Sequence, residues 1–221
     1  MNIRQKKIDI RQKKTSAWRF FVTFVFLEKN ENMKRIVIFA SGSGSNAQAI
    51  IEYFSVTGLA EVSAVFSNRK DAYVLQRAEK MDVPVFVFDK ADLYENDAVL
   101  LRLSNIKPDL VVLAGFLWKI PEKIVHAFQK RIINIHPALL PSYGGKGMYG
   151  MNVHRAVIEN CETVSGITIH YVNENYDEGS VILQVTCEIG GNDTPESLAE
   201  KIHSLEHKYY PRAIEQVLAC L

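Results

Sequence analysis

Short apolar runs recur along the chain without the polar alternation of half-exposed strands. Such runs are typical of strands buried on both faces of a parallel sheet. They cover residues 36–40, 62–66, 83–87, 110–114 and 132–135. Between them, apolar residues recur at helical spacing, as in residues 47–54 and 93–103. This alternation predicts an α/β fold, a doubly wound and mostly parallel sheet flanked by helices, with a Rossmann-like N-terminal half.

The pattern changes in the C-terminal part of the chain. Residues 166–172 and 181–188 have strand character and follow each other closely, which predicts a pair of neighbouring strands. Thr194 then provides a good N-cap, and Pro195 suits the first position of a helix. The apolar stripe of this last predicted helix consists of Leu198, Ile202 and Leu205. Such a stripe predicts that the helix packs against the sheet.

Residues 1–32 differ in composition from the rest of the chain. They contain Ile-Arg-Gln-Lys-Lys twice and then a short apolar run over residues 18–26. They carry eight of the 26 basic and three of the 25 acidic residues, which leaves 18 basic and 22 acidic residues in the remainder. Arg19 and Thr23 interrupt the run, and a membrane span needs about 20 apolar residues, so neither a signal peptide nor a span is predicted. We expect an N-terminal extension, disordered or a non-native start, before one domain over residues 33–221.

Met33 is followed by two basic residues and a buried strand, which resembles a natural chain start. We expect translation to begin there in the cell, the alternative being a dispensable arm or a small packing strand. A protein that starts at Met33 should therefore keep full activity and stability. Thermal unfolding and turnover of the shortened and full-length proteins test this expectation. Unfolding, or loss of most turnover, would show that residues 1–32 belong to the fold.

Charge and cysteine content limit the partners that the chain can have. The formal net charge of +1 provides no field that would favour nucleic acid or a membrane surface. We therefore expect small-molecule substrates. Cys161, Cys187 and Cys220 are an odd number without C-x-x-C spacing, so neither a disulfide framework nor a cysteine zinc site is predicted. These features fit a reducing cytoplasm.

A glycine-rich loop over residues 41–46 follows the first predicted strand and begins the next helix. Free backbone N–H groups at a helix start, with glycines that allow close approach, form an anion site. The G-x-G-x-x-A pattern of residues 42–47 also makes a nicotinamide dehydrogenase an alternative. The acid expected after the second strand is missing, since residues 67–69 are Ser-Asn-Arg and the first acid is Asp71. We favour phosphate binding without a dinucleotide, and we expect a branched residue at Gly44 to raise the KM for a phosphorylated substrate.

Two polar residues end the fifth predicted strand in the sequence Asn134-Ile-His136-Pro. Strand alternation puts both side chains on one face at the carboxyl edge of the sheet. An amide can donate to a developing oxyanion, and an imidazole can transfer a proton near neutral pH, although a purely structural histidine is the alternative. The loop over residues 173–179 supplies carboxylates that could pair with His136. No serine or cysteine has a nucleophile-elbow context, which favours direct attack by a substrate amine.

The order of these motifs, from Met33 to the C-terminus, resembles that of the glycinamide ribonucleotide formyltransferases. Residues 41–46 are similar to the family's phosphate loop, residues 114–120 to its folate-contacting segment, residues 134–137 to its catalytic signature, and residues 176–184 to its acid loop and the strand after it. The resemblance implies a formyltransferase domain over residues 33–221. It also implies transfer of the formyl group of 10-formyltetrahydrofolate to the amine of 5-phosphoribosylglycinamide in purine biosynthesis, by a monomer or homodimer without a metal.

The resemblance further implies roles for individual residues. Asn134 would polarise the formyl oxygen, His136 would transfer the proton, and Asp177 would keep the pKa of the histidine high. The ribonucleotide-binding residues would be Gly44, Ser45, Asn46, Ala47, His203 and Glu206. The folate-binding residues would be Leu117, Trp118, Lys119, Ile120, Asn134, Asn173, Glu174, Asn175, Tyr176 and Asp177.

Three features depart from the family's pattern. His203 stands where some members have glutamine, and Trp118-Lys119 stands where others have Arg-Ile. The loop over residues 142–150 is longer than in some relatives, and its glycines predict a mobile flap, with a plain surface loop as the alternative. These departures affect the expected substrate contacts more than the expected chemistry.

The last predicted helix also contains the H-x-x-E-H pattern of some zinc peptidases, in His203, Glu206 and His207. We reject a zinc site because the pattern is short and no further ligand is evident. Leu205 and Tyr209 instead indicate a packed amphipathic helix.

Other enzymes with an Asn-x-His-Pro centre remain alternatives: a formyl-folate hydrolase, methionyl-tRNA formyltransferase and sugar-amine formyltransferases. The hydrolase usually has a preceding regulatory domain and the tRNA enzyme a basic C-terminal domain, so we expect neither. A non-catalytic nucleotide-binding module would explain the glycine loop. It would leave Asn134, His136 and Asp177 without a purpose.

Overall fold

The structure, a computed structural model, describes residues 33–221. The predictions about residues 1–32 lie outside the described residues. The strands are β1 (Lys34–Phe39), β2 (Ala60–Ser67), β3 (Val85–Val87), β4 (Leu110–Leu113), β5 (Ile132–His136), β6 (Val164–Tyr171) and β7 (Val181–Glu188). The helices are α1 (Ser45–Thr57), α2 (Tyr73–Glu79), α3 (Ala98–Ile106), α4 (Glu122–Ala127), α5 (Met151–Glu159) and α6 (Pro195–Ala219). A short π-helical turn, Ala91–Glu95, precedes α3.

The strands form one seven-stranded sheet in the order β3-β2-β1-β4-β5-β6-β7. The strands from β1 to β5 pair in parallel, whereas β6 is antiparallel to β5 and β7 is antiparallel to β6. The predicted α/β class, with a mostly parallel sheet flanked by helices, is confirmed.

Both faces of the sheet are covered, which explains the uninterrupted apolar strands. Ile36 and Ile38 of β1 belong to a core that includes residues of α1, α2, α5 and α6. Val37 and Phe39 of the same strand belong to a second core that includes residues of α3 and α4. Because neighbouring strand residues point to opposite faces, every position of such a strand is apolar.

The helix predicted over residues 93–103 is interrupted. Leu93 lies in the π-helical turn, Asn96 is extended, and α3 begins only at Ala98. The apolar spacing in the sequence continues across this break, and Leu101 is 61% exposed. The predicted start of the last helix is confirmed, because Thr194 accepts the Ser197 N–H and the Ser197 hydroxyl accepts the Thr194 N–H.

After β1, the chain adds β2 and β3 on one side of β1, and it then adds β4 on the other side of β1. The direction in which strands are added to the sheet therefore reverses between β1 and β4. The loops after these two strands diverge there and open a crevice at the carboxyl edge, where open α/β sheets bind ligands. The loops still touch at their base, where the Ser41 N–H donates to the Gly115 carbonyl at 3.1 Å. The fold therefore places the glycine loop and the segment after β4 at one site. Over residues 33–221, no helix is both long and apolar enough to cross a membrane.

Candidate active site

The crevice is a cavity of about 680 Å³ at the carboxyl ends of β1, β4 and β5. Its lining includes the predicted residues Gly44, Ser45, Asn46, Leu117, Trp118, Lys119, Ile120, Asn134, His136, Asn173, Asn175, Tyr176, Asp177, His203 and Glu206. It also includes residues 145–150 of the predicted flap. The sequence-predicted ribonucleotide, catalytic and folate groups therefore share one cavity.

Two predicted residues do not line the cavity. The Ala47 side chain is buried in the core under α1, so only its backbone can face a ligand. The Glu174 carboxylate lies 3.2 Å from His126 Nε2, and this pairing directs it away from the cavity. The sequence motifs assigned whole segments to the binding site. A motif does not show which side chains of a segment face the cavity and which face away from it.

The glycine loop lines the cavity and has the geometry of the predicted anion site. Gly44 adopts a left-handed conformation with φ 76° and caps α1. The first helical bond runs from the Gln48 N–H to the Gly44 carbonyl, so the N–H groups of Ser45, Asn46 and Ala47 lie ahead of the helical ladder. Where a dinucleotide fold would need an acid after β2, the Asn68 side chain accepts a hydrogen bond from the Ser41 hydroxyl at 2.7 Å. This geometry fits a phosphate without a dinucleotide.

The buried carboxylate of Glu206 lies beside this loop. Asn46 Nδ2 donates to Glu206 Oε2 at 2.9 Å, which joins α1 to α6. Burial raises the pKa of the Glu206 carboxyl, against the lowering effect of the Asn46 hydrogen bond and the His203 charge. Asn46 Oδ1 is buried and has no hydrogen-bond partner within the described part of the chain. The cavity thus offers a polar acceptor and a carboxylate next to the anion loop.

The histidines of the H-x-x-E-H pattern do not converge with the glutamate between them. His203 and His207 stack on each other with ring centroids 6.4 Å apart, whereas Glu206 is buried against Asn46. Over residues 33–221, no group of three histidine, cysteine or acidic side chains is arranged to hold a metal ion.

His136 lies between the flap and the acid loop. Its Nε2 donates to the Tyr143 carbonyl at 2.8 Å, because a carbonyl can only accept. Its Nδ1 is then the nitrogen that faces Asp177 Oδ2, at 3.7 Å. The same carboxylate oxygen accepts the Gly145 N–H at 2.9 Å. The flap therefore contacts both His136 and Asp177 through its backbone.

The pKa of His136 differs from what we predicted. Burial lowers the pKa of His136 below its ordinary value, and it outweighs the raising effects of the Asp177 charge and the Tyr143 carbonyl. The prediction of a high pKa for His136 is therefore wrong. The charge of Asp177 does raise this pKa, as predicted, but burial lowers it more. Sequence reasoning had no measure of the burial, which leaves His136 only 3% exposed. Burial would raise the pKa of Asp177, but the interaction with His170, whose Nε2 lies 3.6 Å from Asp177 Oδ1, the hydrogen bond from the Gly145 N–H and the charge of His136 keep it below its ordinary value.

Sequence reasoning missed His170, whose Nε2 lies near the side chains of both Asn134 and Asp177. His170 is the cross-strand neighbour of Asn134 in the β5–β6 pair and is buried. Its Nδ1 donates to the Tyr171 carbonyl at 2.9 Å, so in the neutral ring Nε2 accepts from Asn134 Nδ2 at 3.2 Å. This contact orients the Asn134 amide and leaves its second N–H for a ligand. The signal was present as one of two polar positions, with Thr168, in the mainly apolar segment 166–171.

Two further residues were not predicted. Thr168 Oγ1 donates to the Ala138 carbonyl at 2.7 Å and accepts the Leu140 N–H at 3.0 Å, which holds the turn after His136 against β6. His154 of α5 lines the cavity, and burial together with His203 and His136 lowers its pKa to about 4. Its imidazole is therefore uncharged at neutral pH and adds a neutral polar group to the cavity wall.

Residues 34–214, which make up most of the chain, match the formyl transferase family. The chain belongs to this family. It is 43% identical over 191 residues to "Phosphoribosylglycinamide formyltransferase, chloroplastic" from Arabidopsis thaliana, covering 82% of this chain and 64% of that protein. It is 38% identical to "Phosphoribosylglycinamide formyltransferase" from Bacillus subtilis, covering 84% of this chain and 95% of the relative.

Solved structures agree with this family membership. Glycinamide ribonucleotide transformylase 1 from Symbiobacterium toebii superposes with a TM-score of 0.77 at 36% identity, covering 85% of this chain and 88% of that chain. The chain spans less than two thirds of the plant relatives, 64% of the Arabidopsis protein and 60% of that from Vigna unguiculata.

Proposed function

We propose that the protein transfers the formyl group of 10-formyltetrahydrofolate to the amine of 5-phosphoribosylglycinamide, giving formyl-phosphoribosylglycinamide and tetrahydrofolate in purine biosynthesis. The observation that carries this proposal is that Asn134, His136 and Asp177 line the same cavity as the glycine loop and the partly aromatic segment after β4. The family membership and the names of the relatives support the same reaction. Both substrates are small molecules, and 10-formyltetrahydrofolate is the cosubstrate.

Two groups of residues in the cavity wall each suit one substrate. The N–H groups at the start of α1 bind the phosphate, and Glu206 together with Asn46 lies where the amine-bearing substrate would enter. Leu117, Trp118 and Ile120 line the same cavity, as do Asn173, Asn175 and Tyr176, and these residues would bind a flat folate ring. The reacting carbon then lies between the two, beside Asn134 and His136.

The residues divide the reaction between oxyanion stabilisation and proton transfer. The substrate amine attacks the formyl carbon and forms a tetrahedral species with a negative oxygen and a positive nitrogen. The free N–H of Asn134 donates to that oxygen, contributing about 3 kcal/mol as oxyanion donors do, and the positive charge of protonated His136 stabilises the oxygen as well. The carbon–N10 bond of the folate then breaks, and N10 receives the proton that the attacking nitrogen loses, through His136 or a water that it orders. The negative charge of Asp177 stabilises the imidazolium during this step.

The test combines the protein with 10-formyltetrahydrofolate and 5-phosphoribosylglycinamide, and follows the folate product by absorbance and the formylated amine by mass spectrometry. We expect product formation that depends on both substrates, with little formate released. A His136→Ala variant is the matched inactive control. Folate turnover without the ribonucleotide would indicate a hydrolase. Preferential formylation of an amino sugar or a charged tRNA would indicate a different formyltransferase.

A further inference from the structure

Helix α2 holds the glycine loop through its backbone and through one side chain. The Val74 N–H donates to the Gly42 carbonyl at 3.1 Å. Arg77 Nε donates to the Ser43 carbonyl at 2.9 Å. Gly44 packs closely on the same helix, because a Cβ there would lie 2.4 Å from Val74 Cγ2. Two successive carbonyl groups of the loop are therefore bound by α2.

These contacts determine where the N–H groups of the loop point. In a trans peptide, the carbonyl and the N–H of the following residue lie in one plane and point in opposite directions. The Ser43 and Gly44 N–H groups are therefore directed away from α2, and both residues line the cavity. Within residues 33–221, neither N–H donates to another group. Successive free N–H groups of this kind form a concave site for an anion.

Arg77 is itself a cation in contact with the loop, although it does not line the cavity. Its guanidinium lies over the Tyr73 ring, with Cζ 4.8 Å from the ring centroid, and Nη1 donates to Gln48 Oε1 of α1. It forms no ion pair with a carboxylate in the part of the chain that the structure describes. The side chain is thus held from both α1 and α2, and its charge is not neutralised by an ion pair.

We propose that Arg77 is a positioning residue for the phosphate of the amine-bearing substrate. It holds the peptide between Ser43 and Gly44 with its N–H towards the cavity, and it places a positive charge on the other side of that peptide. The loop sequence, Ser-Gly-Ser-Gly-Ser-Asn, contains no basic residue. Peptide N–H groups carry only partial charge, so a full charge next to the loop strengthens the attraction to a phosphate. This inference rests on the proposed function.

The experiment replaces Arg77 with methionine, which removes the charge and the donors and keeps an unbranched side chain. We expect the KM for 5-phosphoribosylglycinamide to rise about tenfold, the scale of one hydrogen bond to a charged group. The kcat and the KM for 10-formyltetrahydrofolate should change less than about twofold, because the reacting groups lie elsewhere in the cavity. Arg77→Lys keeps the charge and a donor, and it should recover most of the loss. Arg77→Gln lacks the charge and should lose affinity as the methionine variant does.

A second comparison separates phosphate recognition from a general loosening of the site. It uses glycinamide ribonucleoside, the same substrate without its phosphate, as a competitive inhibitor against the ribonucleotide. Its inhibition constant should change less than about twofold between the wild-type protein and Arg77→Met, because it has no phosphate for the loop to bind. An increase by the same factor as the ribonucleotide KM would overturn the inference. So would an equal rise in the KM for folate.

Arg102→Met is the matched control. The Arg102 guanidinium also lies over an aromatic ring, 5.3 Å from the Phe86 centroid, but it is exposed on α3 and does not line the cavity. This variant should keep the wild-type kcat and both KM values. An unchanged ribonucleotide KM in Arg77→Met would overturn the inference and leave the proposed function intact. Absence of ribonucleotide formylation in the wild-type protein would remove the proposed function and this inference together.

Discussion

Replacing Asp177 with asparagine is expected to lower kcat about 100-fold while the KM for the ribonucleotide changes less than about twofold. Asp177 has a left-handed backbone conformation with φ 55°, which asparagine tolerates, and the amide oxygen can still accept the Gly145 N–H. The variant therefore removes the charge beside His136 and keeps the loop. Steady-state kinetics with each substrate varied in turn provide the measurement.

The pH dependence of this variant follows from the groups around His136. The charge of Asp177 raises the pKa of His136 against the larger effect of burial, so removing it lowers that pKa further. A smaller fraction of the His136 imidazole is then protonated at neutral pH. Because the proton-transfer step needs this proton, kcat begins to fall at a lower pH than in the wild-type protein. The alkaline limb of the kcat profile should therefore move towards acid. An unchanged profile with wild-type kcat would show that Asp177 does not act through His136.

Asp82→Asn is the matched control for this substitution. Asp82 also has a positive φ, 56°, but it is exposed in the turn after α2, away from the cavity. It should leave both kcat and the pH profile unchanged. In the proposed mechanism Asn134, His136 and Asp177 act on one tetrahedral species, so replacing all three should cost far less than the product of the three single losses. Independent, multiplicative losses would contradict the shared role.

Replacing Gly44 with alanine is expected to lower the free energy of unfolding by about 3 kcal/mol or more. A Cβ at this position would lie 2.4 Å from Val74 Cγ2 and 2.7 Å from Val74 Cα, and the φ of 76° disfavours any side chain. The sequence-based expectation was that a side chain here would obstruct the phosphate. The structure shows that it would first collide with α2, so a raised KM at Gly44 would not measure phosphate recognition alone. Denaturant unfolding provides the measurement.

Gly42 offers the matched comparison. It lines the cavity, lacks the positive φ of Gly44, and a Cβ there would meet no atom within 4 Å. Gly42→Ala should keep stability within about 0.5 kcal/mol and raise the KM for the ribonucleotide more than that for folate. Equal changes for the two substrates would contradict phosphate binding at this loop. Equal stability of the two alanine variants would contradict the packing argument for Gly44.

The sequence was sufficient to predict the sheet because burial on both faces leaves a strong local pattern. In β1, every residue from Ile36 to Phe39 is fully buried, and no polar residue can occupy such a strand without losing its hydration. The same reasoning predicted Asn134 and His136 at the carboxyl edge, since strand alternation and chain order determine both. The start of α6 was predictable because Thr194 and Pro195 stabilise a helix N-terminus through local contacts.

Contacts between distant segments could not be predicted in this way. His170 lies 36 residues after Asn134, and only the antiparallel pairing of β5 with β6 brings their side chains to 3.2 Å. Likewise, the hydrogen bond from Asn46 to Glu206 spans 160 residues of sequence. Such pairs leave no periodic pattern, because each residue alone is compatible with many environments.

The candidate reacting groups could therefore be named from the sequence, whereas their electrostatic state was decided by the tertiary structure. The Asn-Ile-His-Pro sequence and the acidic loop were enough to predict that Asn134, His136 and Asp177 share one site, and all three line the cavity. The pKa of His136 falls because surrounding elements exclude water from its ring, and the nitrogen facing Asp177 is set by the Tyr143 carbonyl of the flap. Burial and hydrogen-bond geometry are properties of packed segments, and they exist only once the chain has folded.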